Sequence, residues 1–147
     1  GGGQAGCLLA PLVGRQAGLL LADTTRYAEK QLFVAQCGVD SARIAAIGGI
    51  EARGVDLWAE RERVLDLLTE AGKNLLAVGR VQVLLLGCLS FLGLAHPLSE
   101  RLGVPVVDPA VAPVALAECL VRQGLKTSRK AYPAPPLRKR TWQSGQL

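Results

Sequence analysis

The chain has 147 residues, half of them hydrophobic, with four cysteines, one histidine, no methionine and a net charge of +5. That length suits one domain with a real core, and no window reaches the roughly 18 uninterrupted apolar residues of a membrane span. The cysteines, at positions 7, 37, 88 and 119, form no CxxC pair, which argues against a structural zinc site and against a disulfide framework. A reducing, cytoplasmic setting is the default expectation, with no metal. Six of the positive charges (Lys126, Arg129, Lys130, Arg138, Lys139 and Arg140) follow Gly124 with no acid among them, so the basic character belongs to a tail. The missing initiator methionine and the opening Gly-Gly-Gly suggest a start other than the natural one. Residues 5–13 lack the preceding basic residues of a secretory signal.

Taken in order, residues 1–14 hold too little to define an element, and Pro11 limits any helix there. Ala17–Ala22 reads as a short apolar strand ending in Asp23-Thr24-Thr25, whose side chains can cap the next helix. That helix is expected from about Arg26 to Cys37, where Gly38 stops it. Ala42–Ile47 is a second strand, ended by Gly48-Gly49. A loop through Trp58 leads to the best helix, about Ala59 to Val78, with Val64, Leu68, Ala71 and Leu75 on one face. Its opening residues, Glu60, Arg61, Glu62 and Arg63, read as a solvated charged turn.

The stretch 81–86 is a run of branched aliphatics and one glutamine, as in a strand buried on both faces. It stops at Gly87-Cys88, and leucines at 89, 92 and 94 read as the first turns of a helix that Pro97 interrupts or restarts. Gly103–Asp108 is a shorter fourth strand. Pro109 and Pro113 bracket the start of a last helix, which ends near Gln123 at Gly124. Four strands alternating with helices call for a parallel-sheet, flavodoxin-like α/β domain over residues 15–125. Residues 126–147 form a proline-containing basic tail.

Three strand ends carry polar or reactive groups: Asp23-Thr24-Thr25, Gly87-Cys88 and Asp108. In a parallel sheet they share one edge, where ligands bind. Cys88 stands at the end of a strand and the start of a helix, where N–H groups and the helix dipole favour the thiolate. It reads equally as a buried structural thiol. Cys37 and Cys119 lie in helices among apolar residues and read as structural. No glycine pattern of the dinucleotide or phosphate-loop type follows a strand. His96, the one histidine, precedes Pro97 on an apolar helix and reads as structural. The tail offers Tyr132 and Trp142 for stacking, too little for a nucleic-acid surface, and reads as solvated or partner-facing.

The strand ending in Leu86-Gly87-Cys88, then Gly103-Val-Pro-Val-Val-Asp108, the helix Ala115–Val121 and Gly124-Leu-Lys-Thr-Ser128 resemble the second half of hydantoin and allantoin racemases, in the aspartate/glutamate racemase superfamily. Asp23-Thr24-Thr25 matches that family's paired threonines, and the tail is similar to that of fungal members. The resemblance covers about residues 15–130. It implies two similar α/β halves around the active site, no cofactor, and a small hydantoin or ureide as substrate. It also implies one cysteine from each half, one removing a ring proton and the other returning one. By this match Cys88 is one acid/base. Thr24, Thr25, Gly87, Leu89 and Ser90 line the pocket, where N–H groups and hydroxyls hold ring oxygens as enolate charge develops.

The chain departs from the family's Gly-Cys-Ala-Gly-Met with Gly87-Cys88-Leu89-Ser90-Phe91, which narrows the pocket. Most of the first half is absent, so residues 1–14 read as its remnant or as a linker, and the chain as truncated. Cys7 is then either the first-half cysteine with a deletion behind it or a chance likeness. A remnant half exposes apolar surface, so a homo-oligomer is expected. Two functions remain open: a cofactor-independent racemase using Cys88 and Cys7, and an inactive α/β domain binding a small oxyanion or a protein partner.

Overall fold

The computed structural model describes residues 1–52 and 54–136, with Ser41 in backbone only. Four parallel strands form one sheet: β1 (Ala17–Leu21), β2 (Ile44–Gly49), β3 (Val83–Leu86) and β4 (Val106–Val107). Their spatial order is β2-β1-β3-β4. The chain therefore adds β2 on one side of β1 and then crosses to add β3 on the other. The strand order reverses between β1 and β3, the place where open α/β sheets make their binding crevice.

β1 and β3 are apolar throughout and buried at every position, as expected for strands covered on both faces. Alternation along them sorts side chains into two cores. Leu20, Leu84 and Leu86 join Val64, Leu65, Leu68, Leu75, Phe91 and Leu98 on one face. Leu19, Leu21, Val83 and Leu85 join Cys7, Ala10, Val34 and Cys37 on the other. The first face is covered by α3 (Arg61–Ala77) and α4 (Ala95–Leu102), the second by α1 (Gly2–Val13) and α2 (Tyr27–Gln36), and α5 (Ala112–Arg122) packs on α1. The result is a three-layer α/β fold, as the alternation of strands and helices predicts. On the surface, Arg101 of α4 ties to Asp66 and Glu62 of α3 at 2.6 and 3.1 Å.

The fourth strand spans only Val106–Val107 of the expected 103–108, and four further features differ from expectation. Residues 2–13 are a helix although they carry Pro11, because the proline falls in its last turn and a narrow stripe of Gly6, Cys7 and Ala10 packs onto the sheet. At Gly6 a Cβ would stand 2.5 Å from Leu85 Cδ1, so a larger residue there would have to displace that side chain. Strand β2 continues through Gly48 and Gly49 rather than stopping before them, since both pair with β1. The residues after Cys88 make only one 3₁₀ turn, Leu89–Phe91. Gly93 at φ +83° turns the chain before α4 begins. Lastly, Arg61 is half-buried rather than solvated, with consequences described below. Residues 126–136 are exposed and hold no helix or strand, while Arg138, Lys139, Arg140 and Trp142 lie outside the described residues. Among the described residues no helix is long and apolar enough to cross a membrane.

Candidate functional site at the strand reversal

Cys88 is half-buried at the end of β3. Gly87, just before it, donates its N–H to Leu20 O at 2.7 Å, and a Cβ there would lie 2.8 Å from that same oxygen. Only glycine lets β3 stay this close to β1 as the chain turns out toward the thiol. The cleft at Cys88 has a volume of about 80 Å³ and is lined also by Ala22, Asp23, Arg26, Lys30 and Gly87. It therefore combines the ends of β1 and β3 with the start of α2, at the reversal point of the sheet.

The polar groups around it are ordered by local turns. Asp23 Oδ1 accepts from the Thr25 N–H at 2.9 Å and from Thr25 Oγ1 at 2.5 Å, which caps the 3₁₀ turn Thr24–Arg26. Thr24 Oγ1 donates to Glu51 Oε1, across a bridge between Asp23 and Glu51. Both threonine hydroxyls thus face carboxylates, and the cleft is lined by Asp23 and Arg26 on either side of them rather than by Thr24 or Thr25. Arg26 pairs with Glu29 at 2.6 Å. That hydrogen bond, with smaller contributions from the charges of Glu29, Asp23 and Cys88, strengthens its hold on its proton. Neither Arg26 nor Lys30 stands out in the sequence. They follow the end of β1 by five and nine residues, and only the adjacency of β1 and β3 brings them to Cys88.

A larger cavity of about 250 Å³ adjoins the cleft, sharing Lys30 and Gly87 with it and lined further by Gly3, Cys7, Phe33 and Leu89. Cys7 is at its floor, 1% exposed. Burial pushes the Cys7 thiol up to about 12 from an ordinary 9.0, and the neighbouring Cys37 adds to this by its charge and by a hydrogen bond. Ser90 is half-buried and Leu89 57% exposed, and both stand in the turn after Cys88. His96 is on the outer surface of α4, 3.6 Å from Glu100.

Residues 1–117 match the family model described as Asp/Glu/Hydantoin racemase. The chain belongs to this family. Among curated proteins it is 38% identical over 84 residues to a hydantoin racemase of Paenarthrobacter aurescens, covering 56% of this chain and 36% of that protein. It is 37% identical over 82 residues to a hydantoin racemase of Pseudomonas sp. (strain NS671), covering 55% and 33%. Two solved structures are similar over almost the whole chain. Allantoin racemase from Klebsiella pneumoniae superimposes with a TM-score of 0.79 at 26% identity, over 97% of this chain and 57% of its own. Allantoin racemase from Pseudomonas fluorescens gives 0.72 at 26% identity, over 95% and 60%. The chain thus spans about a third of the curated relatives' length and less than two thirds of either structure.

Proposed function

We propose that this chain carries one acid/base of a cofactor-independent racemase acting on hydantoin-type rings, 5-substituted hydantoins or allantoin. The observation that carries the reading is the position of Cys88: half-buried, at the strand reversal, in a cleft with two cations, in a member of the racemase family. The Cys88 thiolate would remove the proton from the ring carbon between carbonyl and nitrogen. The electrons then move onto the carbonyl oxygen as an enolate. Arg26 and Lys30 supply the positive charge that such an oxygen needs, and the backbone at Gly87, Leu89 and Ser90 supports the ring. Thr24 and Thr25 act in this reading through Asp23 and Glu51, which their hydroxyls hold in place.

Cys7 is the second candidate acid/base. Its burial and its raised pKa favour the neutral thiol at working pH. A neutral thiol can return a proton but is poorly suited to take one. The cavity between Cys7 and Leu89 gives it a route to a ring seated against Gly87. We therefore assign to Cys88 the abstraction from the enantiomer whose ring proton faces it; Cys7 returns a proton on the other face, and in the reverse direction its thiolate must take one, a step that its burial slows.

The active assembly is proposed to be a homo-oligomer, because α1 and α5 present Leu12, Val13, Val114 and Val121 to solvent, each more than half exposed. Chiral chromatography of D- and L-5-substituted hydantoins incubated with the protein tests the reading. Interconversion above a protein-free blank, reduced to the blank by Cys88→Ala, is expected. Interconversion unaffected by Cys88→Ala would remove Cys88 from the mechanism.

A further inference from the structure

We propose that Arg61 is a positioning residue for the turn that follows Cys88, an inference that rests on the reading of Cys88 as the acid/base. Arg61 is the first residue of α3, far from Cys88 in sequence, and its guanidinium reaches across to that turn. Nη1 donates to Ser90 O at 3.0 Å and to Leu57 O at 3.4 Å, and Nη2 donates to Leu92 O. The guanidinium carbon is 5.2 Å from the centre of the Trp58 ring, which holds the planar group from the side. Two of its three bonds go to backbone carbonyls at the carboxyl end of a 3₁₀ turn, where carbonyls lack partners within the turn. A fork of planar donors can engage two such oxygens together, and an ammonium cannot in the same way.

The same short segment is held from its other side. Asp108, at the end of β4, accepts the Gly93 N–H at 3.0 Å and the Ala110 N–H at 2.8 Å. Between the two anchors, Phe91 N–H donates to Cys88 O at 3.2 Å, Leu92 N–H to Leu89 O at 3.1 Å, and the Phe91 ring is wholly buried. A cation on the carbonyls, a carboxylate on an N–H and a buried ring thus fix residues 89–93, and Cys88 is the residue on which this segment hangs. Nothing else in the charged stretch Glu60–Arg63 behaves in this way: Arg63 pairs with Glu60 at 2.6 Å on the surface.

The test compares Arg61→Ala, Arg61→Lys and the surface control Arg63→Ala. Three readouts are used: amide hydrogen exchange at Phe91 and Leu92, iodoacetamide alkylation of Cys88 at fixed pH, and hydantoin turnover. Loss of charge-assisted hydrogen bonds is expected to raise exchange at these two amides about tenfold in Arg61→Ala. Turnover is expected to fall about tenfold in kcat with KM little changed, as for a displaced reacting group. Alkylation of Cys88 changes in rate, Arg61→Lys lies between, and Arg63→Ala matches the unaltered protein. Exchange and alkylation unchanged in both Arg61 variants would overturn the proposal. So would a loss of kcat no greater than the loss of folded protein by circular dichroism. If Arg61→Ala does not fold, Arg61→Lys decides by the same readouts. Cys88→Ala separates the two readings: it should abolish turnover while the two amides stay protected. Absence of turnover in the unaltered protein would count against Cys88 as acid/base, and the positioning role is then judged on exchange and alkylation.

Discussion

Cys7 and Cys88 are the same residue type under opposite conditions. Cys88 ends a strand at a half-open cleft, whereas Cys7 is 1% exposed on a helix pressed against the sheet, with Cys37 beside it. An unfolded thiol ionises near 9.0, while folded Cys7 keeps its proton to about 12. Between those values the folded state binds more protons than the unfolded state. The stability this contributes is complete below pH 9 and falls as pH rises through the window. The urea midpoint is therefore expected to drop between about pH 8 and about pH 10.5, and to drop less in Cys7→Ala. Equal losses in the two proteins would contradict the burial argument. In the folded protein, iodoacetamide should label Cys88 and the exposed Cys119 and spare Cys7 and Cys37 until urea is added.

At the scale of elements, the close contact of β1 and β3 makes the site, and Gly87 makes the contact. Gly87→Ala puts a Cβ against Leu20 O, a backbone atom that cannot swing aside. We expect a loss of about 1–3 kcal/mol in urea unfolding, the range for forcing an extra methyl into a packed interior. Turnover should fall more than stability does, since Cys88 is carried outward with the strand. A stability unchanged by this substitution would mean that β3 and β1 have slack at this point.

Strands β1 and β3 were legible in the sequence because their apolar runs are unbroken and bounded by Gly, Asp and Thr. Helix α1 was not, because Pro11 reads as a helix breaker and the buried stripe is the small residues Ala5, Gly6, Cys7 and Ala10, while Leu8 and Leu12 face outward. The turn after Cys88 imitates a helix through Leu89, Leu92 and Leu94, but Gly93 at φ +83° and the anchors on Arg61 and Asp108 settle it otherwise. Arg61 was invisible as a site residue for a simpler reason. A charged residue opening a helix usually faces water, and only the tertiary fold places this one against backbone carbonyls. Of the strand ends expected to share one crevice, those of β1 and β3 meet at the Cys88 cleft through Asp23 and Gly87, whereas Asp108 faces a separate pocket with Leu92, Gly93 and His96.

For the whole molecule, the two most exposed large apolar side chains among the described residues lie on two helices that touch. Leu12 of α1 is 77% exposed and Val121 of α5 is 75% exposed. Beyond Leu116 every residue of α5 is exposed, so its apolar positions there have no cover among the described residues. Light scattering after size exclusion should find dimers or larger species, and the double variant Leu12→Lys/Val121→Lys should shift them toward monomer. A monodisperse monomer of the unaltered chain would contradict this. An assembly also bears on chemistry. A single base can exchange a ring proton with solvent from one face, but inversion needs a proton delivered to the other.

Proton abstraction by Cys88 is the central claim, and deuterium exchange measures it without requiring inversion. D- and L-5-substituted hydantoins would be followed by NMR in D2O with the protein, with Cys88→Ala, with Cys7→Ala and with a protein-free blank. The expected result is loss of the ring-carbon proton signal above the blank for the enantiomer whose proton faces Cys88, abolished by Cys88→Ala. With Cys7→Ala, exchange should persist while inversion slows. Exchange equal to the blank for both enantiomers would contradict the claim, leaving a racemase fold whose thiol does not take the proton.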